Sequence, residues 1–487
     1  MNNAYIAIDV GASSGRVVVC FKEGNKYQFK VVHRFGNYLK KKEKYLYWEI
    51  KEMFKEILKG IEIATKKYGN IKSIGIDTFG VDVVLLDNDN NMVIKPLSYR
   101  NNLGLISNLI VESKISKKAL YSLTGIQYNH FNTLYQLVYF KEILKIKFKR
   151  ALLLPDYFAY LLTGSLRTEL TIFSSTNLMN AKTYQLIKES NLLGIDKDLF
   201  PKFISAGETY GYLKKEIKDE LNLKEDIKVI AVCGHDTASA VKSIPENSNQ
   251  LFLNSGTMGV LGALIDEPIL TSKALEYNYS NELGHDNKVR LLKNTMGLWI
   301  QNEAIKAYLK INPSKSVEEV RKTVYKAKGV NSYINVDDDR FTAPNNMLEV
   351  INEYLIETNQ QPLSDIGEII LCIYQSLALK YYFNIKEIEE LTNTKYEEIY
   401  VTGGGSNIAV FLQQIANFTN KKVIKGETEA TILGNLYVQL ENDGIISSSK
   451  EGRELLKTRE LEEFTPTRVD GYEAIIKKYH KMFYNKK

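Results

Sequence analysis

The sequence predicts an α/β protein made of two copies of one domain, and three observations carry that prediction. A β-branched strand, a turn of small residues and a second strand open the chain (AYIAIDV, GASSG, RVVVCF; 4–21), and the device returns in QLFLNSGTMGVLGAL at 250–264. Aligning Asp9-x-Gly11 with Asn254-x-Gly256 puts both tight turns at equivalent places, as duplication would. Finally, 487 residues exceed what one hydrophobic core holds.

In the first copy YQFKVVHRF (27–35) makes the third strand of a meander. Between Trp48 and Tyr68 the residues Ile50, Met53, Phe54, Ile57, Leu58 and Ile61 recur at helical spacing. IKSIGIDTFGVDVVLLD (71–87) supplies two strand segments around Gly80, and a mostly helical stretch fills about 103–225. KVIAVCGHDTASAV (228–241) then runs from an apolar strand into small helix formers, with Asp236 or Thr237 as N-cap. The second copy continues after its hairpin with a long amphipathic helix at 364–392, capped by Ser364 or Asp365. A strand, a triple Gly and a helix follow at 397–419, then a short strand and a helix at 421–440. The expected boundaries are 1–244 and 245–445 for the two domains, with peripheral helices over 446–487.

Composition narrows the function classes. Hydrophobic residues at 44% and charged residues at 25% suit a soluble globular chain. A net charge of +6 is small for this length, and the basic runs KKKEK and KIKFKR read as solvated faces, so no nucleic-acid partner is expected. Cys20, Cys233 and Cys372 are far apart and lie in or beside apolar runs, as buried thiols would. With no basic n-region before a cleavage site and no run of 18 apolar residues, no membrane partner is expected and the location expected is cytoplasmic.

The chemistry gathers at strand ends, where α/β folds bind ligands; in a two-copy protein that place is the cleft between the halves. The turn DVGASSGR offers backbone amides that can converge on an anion. Asp9 beside such a site makes sense with a hydrated magnesium ion between them, and Arg16 can pair with phosphate. NSGTMG repeats the device and adds the Thr257 hydroxyl, while VTGGGSN lets a ligand approach bare backbone. No G-x-x-x-x-G-K-[ST], G-x-G-x-x-G or H-E-x-x-H occurs. A nucleotide held by Gly-rich strand ends needs one more group for phosphoryl transfer, a carboxylate that accepts the proton of the attacking hydroxyl. Asp236 ends an apolar strand and could face the same space. The other Gly-His-Asp, at 284–286, lies among polar residues, and Asp286-Asn287 reads as a hairpin turn.

With these residues in view, the chain resembles the FGGY family of carbohydrate kinases, and within it most closely the rhamnulokinases. The matching segments are AIDVGASSGR, VVHRF, LYW, SIGIDTFGVDVVLLD, CGHDTASAV, FLNSGTMGVLG, EPIL with ALEYNYSNE, RLLKNTMGLW and VTGGGSNIAVFLQQIAN. The resemblance implies two ribonuclease H-like (actin-like ATPase) α/β domains with a central ATP/sugar cleft. It implies ATP and magnesium as cofactors and a small ketose as substrate, L-rhamnulose being phosphorylated at its 1-hydroxyl, in a monomer or homodimer. By motif position Asp236 is the general base, and Gly80, His235 and Thr237 lie against the sugar. Ala12, Ser13, Ser14, Gly15, Arg16 and Thr257 hold phosphates, Asn294, Asn302 and Gly404 lie near the nucleotide, and Asp9 reaches magnesium through water.

The chain departs from the family pattern in several places. Phe79 and Met258 stand where relatives carry Trp, Asn101 replaces an acid in YRNNLG with the following Arg missing, and Asn302 replaces a Gln. The lost acid and Arg bear on sugar choice, leaving L-fuculose or D-xylulose as alternative substrates. A non-catalytic actin-fold sensor of sugar or nucleotide is the alternative of another class.

Overall fold

The computed structural model describes residues 3–24, 26–36, 38–245, 247–327, 329–456 and 461–484. The first half holds β1 (Ala4–Val10), β2 (Ser14–Glu23), β3 (Lys26–Gly36), α1 (Ile50–Tyr68), β4 (Ile71–Thr78), β5 (Thr209–Tyr212), β6 (Lys228–Ile230) and α2 (Asp236–Lys242). The second half holds β7 (Gln250–Ser255), β8 (Met258–Ile265), β9 (Val289–Met296), α3 (Trp299–Ile311), α4 (Ile366–Thr392) and β10 (Glu398–Thr402). It continues with α5 (Ala409–Thr419), β11 (Lys422–Lys425), α6 (Ala430–Asn442) and β12 (Glu462–Phe464). Two compact units result: one of Met1–Glu246, Leu264–Leu291 and Glu429–Arg459, the other of Asn247–Ala263, Leu292–Thr428 and Glu460–Lys487.

In the first unit the sheet runs β5-β6-β4-β1-β2-β3. β1, β2 and β3 pair antiparallel as the expected meander, while β4 runs parallel to β1 and β6 parallel to β4. Side chains alternate across a strand, and here both faces are covered. Ile6, Ile8, Val17 and Val19 pack with Ile50, Met53, Ile57 and Ile61 of α1. Tyr5, Ala7, Val18 and Cys20 pack with Ile432, Leu433, Leu436 and Leu440 of α6. That two-sided burial explains why β1 is apolar throughout instead of alternating. Only at its end does a polar residue, Asp9, follow Tyr5 and Ala7 on the α6 face.

The second unit repeats the plan. Its sheet includes the order β9-β8-β7-β10-β11-β12, with β7 antiparallel to β8 and parallel to β10, and β10 parallel to β11. α4 starts from an Asp365 cap, whose carboxylate accepts the Glu368 N–H, and buries Ile369, Ile373, Leu377 and Tyr381 along its length. The 103–225 region carries helices such as Lys117–Thr124 and Leu154–Thr163, together with short strands at Arg150–Leu153 and Thr168–Glu169. Beyond residue 445 the described chain forms helices Ser449–Leu455 and Tyr472–Phe483 on either side of β12; 457–460 and 485–487 lie outside the described residues. In the second of these helices Tyr479 is fully buried against the rings of Tyr333 and Phe383. All three cysteines are buried and free. Among the described residues no helix is long and apolar enough to cross a membrane.

Candidate active site

In the first unit the ends of β1, β2 and β4 and the start of α2 bring carboxylates together. Arg16 stands directly opposite Asp9 in the β1–β2 register, and its Nε and Nη2 donate to Asp9 Oδ2 at 3.0 and 2.8 Å. Its Nη1 pairs with Glu429, the residue that precedes α6. Burial pushes the Asp9 carboxyl up to about 6; Arg16 opposes the rise and the charge of Asp236 adds to it. Asp77 is the register partner of Asp9 on β4 and is fully buried. Its Oδ2 accepts from Asn435 Nδ2 at 2.6 Å, while Oδ1 is buried without a hydrogen-bond partner. Burial first, and the Asp9 charge second, hold its carboxyl well above the usual range.

α2 is docked onto the same sheet end. The Thr78 N–H donates to the Gly234 carbonyl at 2.9 Å, and Glu169 Oε2 accepts the Gly234 N–H at 3.0 Å. The N-cap is His235, one residue before Asp236 and two before Thr237, the candidates considered from sequence, because its ring nitrogen reaches the first turn. Nδ1 lies 2.8 Å from Asp236 Oδ1 and 2.8 Å from Thr237 Oγ1, and the Thr237 N–H donates to Asp236 Oδ1 at 2.6 Å. Asp236 is thus the first helical residue, with Oδ1 held by the Thr237 N–H and the His235 ring; its side chain is 29% exposed. A Cβ on Gly80 would lie 2.7 Å from His235 Nε2, so this ring rests against bare backbone.

The turn after β1 is closed by the Gly11 N–H donating to Ser14 O at 3.0 Å, with Ser13 and Ser14 exposed and Ala12 and Gly11 partly so. Arg100 donates to the Ala12 carbonyl at 3.1 Å. Phe79 is buried with its ring 5.0 Å from Trp48 and 6.0 Å from Tyr99. Asn101 clamps backbone: its oxygen accepts the Leu46 N–H, and its amide donates to the carbonyls of Leu46 and Ser98, all at 2.8 Å. A carboxylate could accept but not donate, so the amide here has a local structural reason.

In the second unit Thr257, Asn302 and Gly404 meet at a cavity of about 590 Å³, lined also by Gly256, Leu298, Arg321 and Tyr325. The three glycines of VTGGGSN differ in kind. Gly403 has φ +79° and a Cβ there would meet Asn254 Oδ1 at 2.7 Å, and one on Gly405 would meet Ser255 Oγ at 2.2 Å. A Cβ on Gly404 would meet nothing within 4 Å, so its backbone faces open space. Asn294 lies on β9 and is not among the cavity-lining residues. Met258 is 53% exposed.

The donor set suits a phosphate-bound divalent ion better than a closed metal cage. Among the described residues no three His, Cys, Asp or Glu side chains gather to hold a metal, whereas magnesium keeps waters and uses one or two carboxylates plus phosphate. Asp9, with the orphaned Asp77 oxygen in the neighbouring register position, fits that pattern. Sequence reasoning missed Asp77, Glu429 and Arg290, which is fully buried and donates to Thr237 Oγ1 at 3.0 Å. An acid inside an apolar strand was a signal for Asp77; the other two depend on contacts far along the chain.

Known proteins match the chain over most of its length. The N-terminal domain of the FGGY family of carbohydrate kinases matches residues 4–242, and the family's C-terminal domain matches 251–441. The rhamnulokinase of Oceanobacillus iheyensis is 38% identical over 94% of this chain and 97% of the relative, and that of Bacillus subtilis 36% over 96% of each. Among solved structures, gluconate kinase from Lactobacillus acidophilus aligns with a TM-score of 0.80 at 17% identity, over 99% of this chain and 96% of that one. Plasmodium falciparum glycerol kinase with ADP aligns with a TM-score of 0.78 at 15% identity, over 99% and 97%. With both domains matched across nearly its whole length, the chain belongs to the FGGY family of carbohydrate kinases.

Proposed function

We propose that this kinase transfers the γ-phosphoryl group of ATP to the 1-hydroxyl of L-rhamnulose, with Asp236 as the general base. The observation that carries the reading is the fixed Asp236 carboxylate: Oδ1 is tied to the Thr237 N–H, and Oδ2 is free to take a proton. The 1-hydroxyl gives its proton to Oδ2 as its oxygen attacks phosphorus in line, and ADP leaves. Gly80, His235 and Thr237 bind and orient the ketose. The amides of Ala12, Ser13, Ser14 and Gly15, with Arg16 and Thr257, hold phosphates, and Asn294, Asn302 and Gly404 contact the nucleotide. Magnesium, when bound, neutralises phosphate charge, and Asp9 holds it through water. Sugar and base belong to 1–244 and the nucleotide to 245–445 in this reading.

The ketose assignment is supported by rhamnulokinase relatives at 36–38% identity. A coupled ADP-release assay over L-rhamnulose, L-fuculose and D-xylulose tests it; a higher kcat/KM for either of the other two would replace it. For the base, Asp236→Asn is expected to lose nearly all turnover while still binding ATP, and retained turnover would refute the assignment.

A further inference from the structure

Arg290 is a fully buried guanidinium that the reading above does not use. It stands on β9, and its side chain makes three bonds. Nε donates to Leu283 O at 3.3 Å, Nη2 pairs with Glu282 Oε2 at 3.1 Å, and Nη1 donates to Thr237 Oγ1 at 3.0 Å. The first two partners lie on the adjacent hairpin arm, seven and eight residues away in sequence, and would suffice to house a structural Arg. The third bond reaches 53 residues back, to the first turn of the helix that begins with Asp236.

Arg carries donors only and keeps its charge, so at this contact the Thr237 hydroxyl is the acceptor whatever tautomer His235 adopts. A charge-assisted bond is stronger than a neutral one, and it selects one rotamer of a Thr that otherwise divides between two. The same hydroxyl is 2.8 Å from His235 Nδ1, and the Thr237 N–H holds Asp236 Oδ1. One buried cation therefore anchors the residue to which both site side chains are tied.

We propose that Arg290 is a positioning residue for phosphoryl transfer, holding the Asp236 carboxylate and the His235 ring in one orientation through the Thr237 hydroxyl. The inference rests on Asp236 being the base. Misplacing a reacting group by about 1 Å costs on the order of 100-fold in rate, which sets the scale of the effect.

The test is a double-mutant cycle in the full-length protein with L-rhamnulose and ATP: Arg290→Lys, Thr237→Val and the double variant, each measured for kcat, both KM values, ATP binding and thermal midpoint. Each single change is expected to lower kcat by about 10- to 100-fold with ATP affinity unchanged, and the double variant to lose little more than the worse single. Multiplicative losses would show that Arg290 acts independently of Thr237 and would overturn the proposal. Should the Arg290 variants fail to fold, Thr237→Val decides alone: a raised ketose KM at unchanged kcat marks a mere sugar contact and overturns it, whereas a fall in kcat supports it. Asp236→Asn separates the two levels. Turnover retained there removes the base assignment and this proposal with it, while turnover lost there beside a multiplicative cycle removes only the role of Arg290.

Discussion

Asp82 shows how a single buried acid shapes the wall beside the candidate sugar site. It is fully buried and accepts from Trp48 Nε1 at 2.6 Å, from the Tyr99 N–H at 3.0 Å and from Gln136 Nε2 at 2.9 Å. Burial pushes its carboxyl up to about 7 against these donors, compared with about 3.9 in an unfolded chain. The folded state therefore binds the extra proton between those values, and the stability this group contributes is greatest below about pH 4 and is lost as pH rises through about 7. Asp82→Asn turns one acceptor into a donor facing the Gln136 amide, and should cost about 1–3 kcal/mol in urea unfolding. The gap from wild type should narrow as pH rises from about 4 to about 7. Gly80→Ala acts on the His235 ring directly, because its Cβ must displace that ring; the ketose KM should rise about 10-fold with the ATP KM unmoved. At this scale the sequence was readable where chemistry is local. The Gly-His-Asp at 284–286 makes the expected turn, with Asp286 and Asn287 at φ +56° and +58° and the Gly284 N–H bonded to Lys288 O. It was unreadable where partners are remote, as Glu429 is to Arg16 across 413 residues.

At the scale of elements, α6 supports the carboxylate end of the first sheet. Asn435 and Gln439, four residues apart on one face of the helix, lie over β1 and β4. Ser73 Oγ donates to Gln439 Oε1 at 2.7 Å, and Gln439 Nε2 donates to Ile6 O and to Asn435 Oδ1 at 3.0 and 2.8 Å. Asn435 then donates to Asp77, and Gly75 leaves the room, since a Cβ there would lie 2.4 Å from Asn435 Oδ1. On its other side α6 crosses α2 at Gly434, where a Cβ would be 1.7 Å from the Ser239 carbonyl oxygen. Gly434→Ala must push α2 away, costing about 1–3 kcal/mol of stability and lowering kcat through the displaced Asp236; unchanged kcat and unfolding midpoint would refute that coupling. The meander and α1 were legible because periods of two and 3.6 are written locally. That α6, 420 residues after β1, covers the opposite face of its sheet is a matter of topology, which no local period records.

At the scale of the whole molecule, the proposed function places the sugar and the base in the first unit and the nucleotide cavity in the second, so substitutions should divide by kinetic parameter. Gly404 is the sharpest probe in the second unit, because its neighbours Gly403 and Gly405 are required by backbone conformation and packing while Gly404 itself faces open space beside the cavity. Gly404→Leu should therefore leave the thermal midpoint of the unliganded protein near wild type and block close approach of a nucleotide. The ATP KM is expected to rise about 10-fold or more, a loss of at least about 1.4 kcal/mol of binding, with the ketose KM unchanged. Stabilisation by ADP should fall in step, since a ligand raises stability only as far as its concentration exceeds its dissociation constant. Asp9→Ala in the first unit is the complementary probe: it removes the carboxylate that Arg16 pairs with and should shift the magnesium titration upward while ketose binding persists. An ATP KM that stays at the wild-type value in Gly404→Leu would take the nucleotide out of this cavity. An unchanged magnesium titration in Asp9→Ala would take Asp9 out of the metal site.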